Sequence, residues 1–203
     1  MKKIFVFAAA AAFALCACDK TTPQVDGSGN GGNNEGGNEA AKIESVVFNE
    51  LCGNKVYNGN KFIELYNGTT AEVDLSNWKI RKYAKDATDV EGKYNNCWIA
   101  PAGTKLAAGA YLVLAADQTD ATLGFNAGLS AKKGLKFELV DADGKVVDKF
   151  LRGQDSDPFA EEGLPENKEA SFSRVPNGSA AWAYAEPTPG EANGKATGDI
   201  EHE

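Results

Sequence analysis

Three runs decide how this chain is read: Ile43-Glu44-Ser45-Val46-Val47-Phe48-Asn49-Glu50-Leu51, then Lys61-Phe62-Ile63-Glu64-Leu65-Tyr66-Asn67, then Val73-Asp74-Leu75-Ser76-Asn77-Trp78-Lys79-Ile80. In the first, Ile43, Ser45, Val47 and Asn49 alternate with Glu44, Val46 and Phe48, the pattern of a strand covered at least in part on both faces. The second sends Ile63 and Leu65 to one face and Phe62, Glu64 and Tyr66 to the other, and Asn67-Gly68 closes it with a turn. Leu75, Trp78 and Ile80 add core bulk, the Trp78 indole N–H requiring an acceptor.

Toward the C-terminus the same grammar continues. Pro101 to Leu106 leads through Ala107-Ala108-Gly109 into Tyr111 to Ala115, a strand, a tight turn and a strand. Leu135, Phe137 and Leu139 alternate with Lys136 and Glu138, and Asp143-Gly144 joins them to Lys145 to Phe150 as a hairpin whose two turn positions both favour positive φ. Phe172 to Val175 and Trp182 to Tyr184, separated by Pro176-Asn177-Gly178, are the last strands. Short strands with turns rich in Gly, Asn and Asp predict an all-β sandwich. Two connections, Arg81 to Asn96 and Arg152 to Ala170, read as long loops.

Toward the N-terminus the chain changes character. Met1-Lys2-Lys3 is basic, and Ile4 to Ala17 is an unbroken apolar run ending in Leu15-Cys16-Ala17-Cys18. The run is too short to span a bilayer and no basic stop follows it, so 1–17 reads as a secretory signal peptide. Its last four residues resemble a bacterial lipobox, which implies cleavage before Cys18 and lipidation of that cysteine; Cys16 fits less well because bulky Leu15 would occupy the cleavage position. Several acyl chains anchor stably where one does not. Residues 18–41, dominated by Gly, Asn, Thr, Ser and Glu, cannot bury enough apolar surface to order and read as a disordered tether. As a flexible coil its roughly 22 residues reach about 25 Å. The folded domain is expected over 42–193, with 194–203 a polar tail.

The formal net charge of the whole chain is −8. Without Lys2 and Lys3 it carries 19 basic against 29 acidic residues, a balance that makes nucleic acid an unlikely partner.

With the strands in order, Phe48-Asn49-Glu50, Phe62 to Asn67, Val73 to Ile80, Gly103 to Leu114, Ser173-Arg174 and Thr188-Pro189-Gly190-Glu191-Ala192-Asn193 together resemble the lamin tail domain. This immunoglobulin-like module closes nuclear lamins and also occurs in bacterial secreted proteins. The resemblance covers about 43 to 193 and depends on the order of several weak motifs. It implies an immunoglobulin-like β-sandwich that binds or spaces, in a bacterial lipoprotein form, and it brings no catalytic residues.

Candidate sites follow from residue chemistry. Cys52 and Cys97 are the cysteines of the folded part, and an exported chain meets a compartment where disulfides persist. A bridge would close a loop of about 45 residues and contribute roughly 4 kcal/mol, with two free thiols the alternative. Asp141-Ala142-Asp143-Gly144 resembles the start of a calcium loop, but Lys145 and Val146 break the pattern and a hairpin explains it better. Asp155, Asp157, Glu161, Glu162, Glu166 and Glu169 crowd one long loop and read as a solvated acidic face more readily than as a cation site. Glu64, between Phe62 and Tyr66, is a carboxylate for a raised pKa or, more simply, a partner for Lys79 or Arg81. A glycosidase would need a second carboxylate at a defined distance. His202 is the one histidine, so no His-based triad or zinc site can be built, and no Gly-x-Ser-x-Gly elbow occurs. Among the aromatics, Tyr94 and Trp98 are the two that packing explains least, and they are the candidates to face a ligand such as a sugar.

The expected protein is a lipid-anchored, non-catalytic interaction or adhesion module of the bacterial cell envelope. It takes no cofactor and no metal, it has an unknown protein or glycan partner, and the outer membrane is the expected location with its face left open. The competing expectations are a carbohydrate-binding lipoprotein and an accessory subunit of a separate hydrolase or nuclease.

Overall fold

The computed structural model describes residues 41–83, 94–116, 124–130, 134–152 and 170–194, and the backbone of 196–199. Signal peptide, Cys18, tether, acidic loop and His202 therefore lie outside the described residues.

The strands are β1 Val46–Tyr57, β2 Asn60–Asn67, β3 Val73–Asp74, β4 Lys79–Tyr83, β5 Tyr94–Ile99, β6 Lys105–Leu106, β7 Tyr111–Ala116, β8 Gly124–Phe125, β9 Leu135–Val140, β10 Val146–Arg152, β11 Ser171–Arg174, β12 Trp182–Ala185 and β13 Ala196–Asp199. They form a large sheet in the order β13-β12-β11-β1-β2-β7-β8, a smaller one in the order β10-β9-β4-β5, and the two-stranded pair β3-β6. Every pairing is antiparallel except β7 with β8. The strand β13 falls inside the stretch expected to be a tail, where its backbone extends the large sheet beside β12.

The core lies between the two main sheets. Phe48, Leu51, Ile63, Leu65, Leu114 and Phe172 from the large sheet meet Ile80, Trp98, Phe137, Leu139 and Phe150 from the small one. Each such side chain contributes about 1.5–3 kcal/mol by leaving water. Phe150 joins Phe172 and Trp182 at centroid distances of 5.4 and 5.0 Å, the latter edge-on.

β1 runs six residues beyond its apolar stretch because Asn58-Gly59, both at positive φ, turn the chain straight into β2, with Tyr57 opposite Asn60. At Asn49 the β1–β2 register slips by one residue: Phe48 faces Leu65, but the next pair is Glu50 with Glu64. This bulge resets the alternation, so Phe48 and Leu51 both point inward while Glu50 points out.

The Asp143-Gly144 turn differs from expectation. Only Gly144 takes positive φ, at +89°, and Gly144 N–H donates to Asp141 O while Asp141 N–H donates to Lys145 O. Those bonds make a turn with a glycine bulge in place of a two-residue primed turn. The Asp141 carboxylate accepts the N–H groups of Asp143 and Lys145, which is hairpin chemistry. The strands on either side of Ala107-Ala108-Gly109 belong to different sheets, since β6 pairs with β3 and β7 pairs with β2.

Candidate functional site

The bulge at Asn49 places two carboxylates side by side on the outer face of the large sheet. Glu50 and Glu64 are direct cross-strand partners and both are fully buried. The segment 186–194 lies over them. Gly190 N–H donates to Glu64 Oε2 at 2.6 Å, and Thr188 N–H donates to Glu50 Oε1 at 3.1 Å. From the sheet itself, Asn49 Nδ2 donates to Glu64 Oε1 at 2.9 Å.

Burial outweighs these hydrogen bonds. The Glu64 carboxyl is pushed up to about 8, first by desolvation and further by Glu50, and Glu50 is also raised, by desolvation against the opposing bonds from Ser171 and Thr188. Among the described residues, none of the groups shifting either carboxylate is cationic. The expected pairing of Glu64 with Lys79 or Arg81 is thus corrected, because those two residues belong to β4 in the other sheet. The second carboxylate that Glu64 lacked in the sequence is Glu50. It was hidden because its place opposite Glu64 depends on a bulge that no local pattern announces.

Three asparagines tie the 186–194 segment down. Asn193 Nδ2 donates to Asn49 O and Arg174 O at 3.0 and 2.8 Å, Asn193 N–H donates to Asn177 Oδ1 at 2.8 Å, and Gly178 N–H donates to Asn49 Oδ1 at 3.1 Å. The backbone freed by the bulge is also taken up: Phe48 N–H donates to Asp148 Oδ2 at 2.8 Å and Arg174 Nε donates to Phe48 O at 2.7 Å. Arg174 Nη2 donates to both oxygens of Asp148, at 2.9 and 3.1 Å, a nearly buried, charge-assisted ion pair that joins β11 to β10 across the sheets. A shallow cleft of about 490 Å³ opens beside this network, with Lys42, Tyr66, Asn177 and Asn193 in its wall.

The outer face of the small sheet has a different chemistry. One row across it is Asn96, Arg81, Glu138 and Lys149, from β5, β4, β9 and β10 in turn. The Arg81 guanidinium lies over the Tyr94 ring at 4.3 Å, and Lys136 lies over Tyr83 at 4.2 Å. Tyr83 O–H donates to Glu138 Oε2 at 2.8 Å, and burial first, with that hydrogen bond second, pushes the phenol up to about 12. Among the described residues, this face carries four cations, Lys79, Arg81, Lys136 and Lys149, against Glu138, in a chain whose net charge is −8. Lys149 is its most open cation, its side chain 60% exposed, while Lys136 is buried.

Of the two candidate ligand-facing aromatics, only Tyr94 is on this face, half-buried among Arg81 and Tyr83. Trp98 is 2% exposed and belongs to the core. Both stand in β5, Tyr94 where the Arg81 to Asn96 loop was expected and Trp98 just after it. β5 bulges at Cys97, so Cys97 and Trp98 both turn inward after the exposed pair Asn95-Asn96.

Cys52 and Cys97 are free thiols, not the bridge that the sequence allowed. Cys52 sits opposite Phe62 on the outer side of the large sheet, and Cys97 lies in the core between the sheets, so a sheet backbone separates them. Burial raises the thiols to about 11 and about 12, which leaves them protonated and inert at neutral pH.

With this geometry in place, the chain can be compared with known proteins. The family model of the Lamin Tail Domain matches residues 39–153. The chain belongs to the lamin tail domain family. Its lamin tail domain is an immunoglobulin-like, all-β sandwich. The match ends just after β10, so β11, β12, β13 and the 186–194 segment complete the large sheet and its outer face from beyond the matched residues. No curated protein matches the chain.

Proposed function

We propose that this lamin tail domain protein is a lipid-anchored, non-catalytic interaction module of a bacterial cell envelope. The observation that carries the non-catalytic part is the use made of Glu50 and Glu64. They are direct neighbours, as paired acid–base catalysis would require, yet they are sealed from solvent and their oxygens hold backbone N–H groups of 186–194. The anchored part rests on Leu15 to Cys18 and the apolar run before it. The surface offered to a partner is the outer face of the small sheet, which carries Arg81 over Tyr94 and, two strands away, the open Lys149.

A carbohydrate ligand is the second reading, favoured by the Tyr94 ring on the same face of β5 as the exposed amide of Asn96. Full chain extracted in detergent from its own membrane, applied to a glycan array and in parallel to co-purification, separates the two. A protein partner retained by the unaltered chain and lost from an Arg81→Ala, Lys149→Ala double variant supports the first reading. Array binding lost on Tyr94→Ala supports the second. Turnover of a glycosidase, esterase or nuclease substrate that Glu64→Gln abolishes would overturn both. Cys18→Ser should release the chain from the membrane fraction, and its retention there would remove the anchor.

A further inference from the structure

We propose that residues 186–194 form a proton-controlled latch: the segment stays seated on β1 and β2 while the Glu50–Glu64 pair holds a proton, and loss of that proton favours its release. The two carboxylates occupy opposed positions on adjacent strands, neither is exposed, and one turn of the segment donates to both. If both ionise, two like charges face each other out of water. Opening the segment is the direct way to let water reach them.

Among the described residues, the groups around the pair do not neutralise the second charge. From β1 the pair meets Asn49, and Cys52, whose thiol is raised partly by Glu50. From β7 come Val113, the strand partner of Glu64, and Tyr111, whose phenol is raised first by burial and then by Glu64. From β11 comes the Ser171 hydroxyl, and from the segment itself Thr188 and Gly190. The segment's own acids, Glu186 and Glu191, are exposed. With Glu64 at about 8 and Glu50 also raised, the controlling proton leaves near neutral pH.

The test is amide hydrogen exchange of the full chain between pH 6 and pH 8, read at Thr188 and Gly190 after the intrinsic pH dependence of exchange is divided out. Release of one proton makes the opening constant rise by up to about tenfold per pH unit. Glu64→Gln should flatten that rise, and Glu191→Gln, on the same segment but exposed, should leave it unchanged. Opening that is independent of pH in the unaltered chain overturns the latch. So does an unchanged slope in Glu64→Gln, or an equal rise at Leu65 and Phe172, which would place the change in the whole fold. Should Glu64→Gln fail to fold, the unaltered chain still decides through the slope and its confinement to the segment.

Discussion

The two outer faces of this sandwich solve the same problem, a sheet surface turned away from the core, in opposite ways. The large sheet places carboxyl groups there and closes them under chain, with Thr188 and Gly190 N–H groups on Glu50 and Glu64. The small sheet places cations there and stacks them on tyrosine rings, Arg81 on Tyr94 and Lys136 on Tyr83. Buried, hydrogen-bonded carboxylates tolerate little change, because each lost partner strands a polar group in low dielectric. The half-exposed Arg81–Tyr94 pair contributes only about 0.5–1 kcal/mol and remains free to trade one anion or ring for another, while the Lys136–Tyr83 pair is buried. The difference separates a face that maintains structure from a face that can meet a partner.

The largest expected effect sets the scale for that comparison. Trp98→Ala, on the inner side of the small sheet, should cost about 3–5 kcal/mol in urea unfolding. Tyr94→Ala, four residues earlier on the outer side, should cost under about 1 kcal/mol; equal losses would mean that the small sheet's outer face is as structural as its core.

pH should separate the faces next. The folded-state pKa of Glu64, about 8, is raised above its ordinary 4.5, so the folded chain binds this proton more tightly than the unfolded one. Its contribution to stability is complete below about pH 4.5 and declines as pH rises toward 8, by up to about 1.4 kcal/mol for each pH unit, so that a few kcal/mol are at stake. Urea midpoints at pH 5.5 and pH 8 should therefore differ in the unaltered chain and converge in Glu64→Gln. A midpoint that is higher at pH 8 in the unaltered chain, and not in the variant, would reverse the sign and sink the account of the pair.

Asn49→Ala removes a donor to Glu64 and the acceptor of Gly178 N–H together. A loss of about 2–3 kcal/mol is expected from the groups left unpaired, and a loss below about 0.5 kcal/mol would show that water replaces the side chain without cost. Smallest of all, Lys149→Ala should change stability by under about 1 kcal/mol, since its contact with Glu138 is 3.8 Å and its side chain is largely in solvent.

Much of the fold was legible because alternation is a local signal. Ile63 and Leu65 turn inward and Phe62, Glu64 and Tyr66 outward, as their spacing requires. What escaped depended on register or on polar residues within strands. Asn54 and Lys55 hide the continuation of β1 to Tyr57, although Asn58-Gly59 was there to mark the hairpin. Asn95-Asn96 made β5 look like a loop and Trp98 look like surface, when a bulge at Cys97 carries the indole inside. Glu50 stood in plain view beside Asn49, yet its partner across the sheet could not be read without the slip at that asparagine. Cys52 and Cys97 illustrate the same limit, since spacing along the chain carries no information about which side of a sheet a thiol occupies.

The slip at Asn49 also makes β1 a strand that counts. Its two halves are out of phase, so side chains before and after it obey opposite parities, and Asn49 is the residue that absorbs the difference. Deleting that one residue would leave strict alternation through β1, with Phe48 and Leu51 still inward and Glu50 still outward, and would cost the Asn49 contacts to Glu64, Gly178 and Asn193 rather than the register. Keeping every residue while straightening the slip would instead drive Glu50 between the sheets where Leu51 now sits, or turn Phe48 out into water. At this point the fold depends on the number of residues as much as on their chemistry.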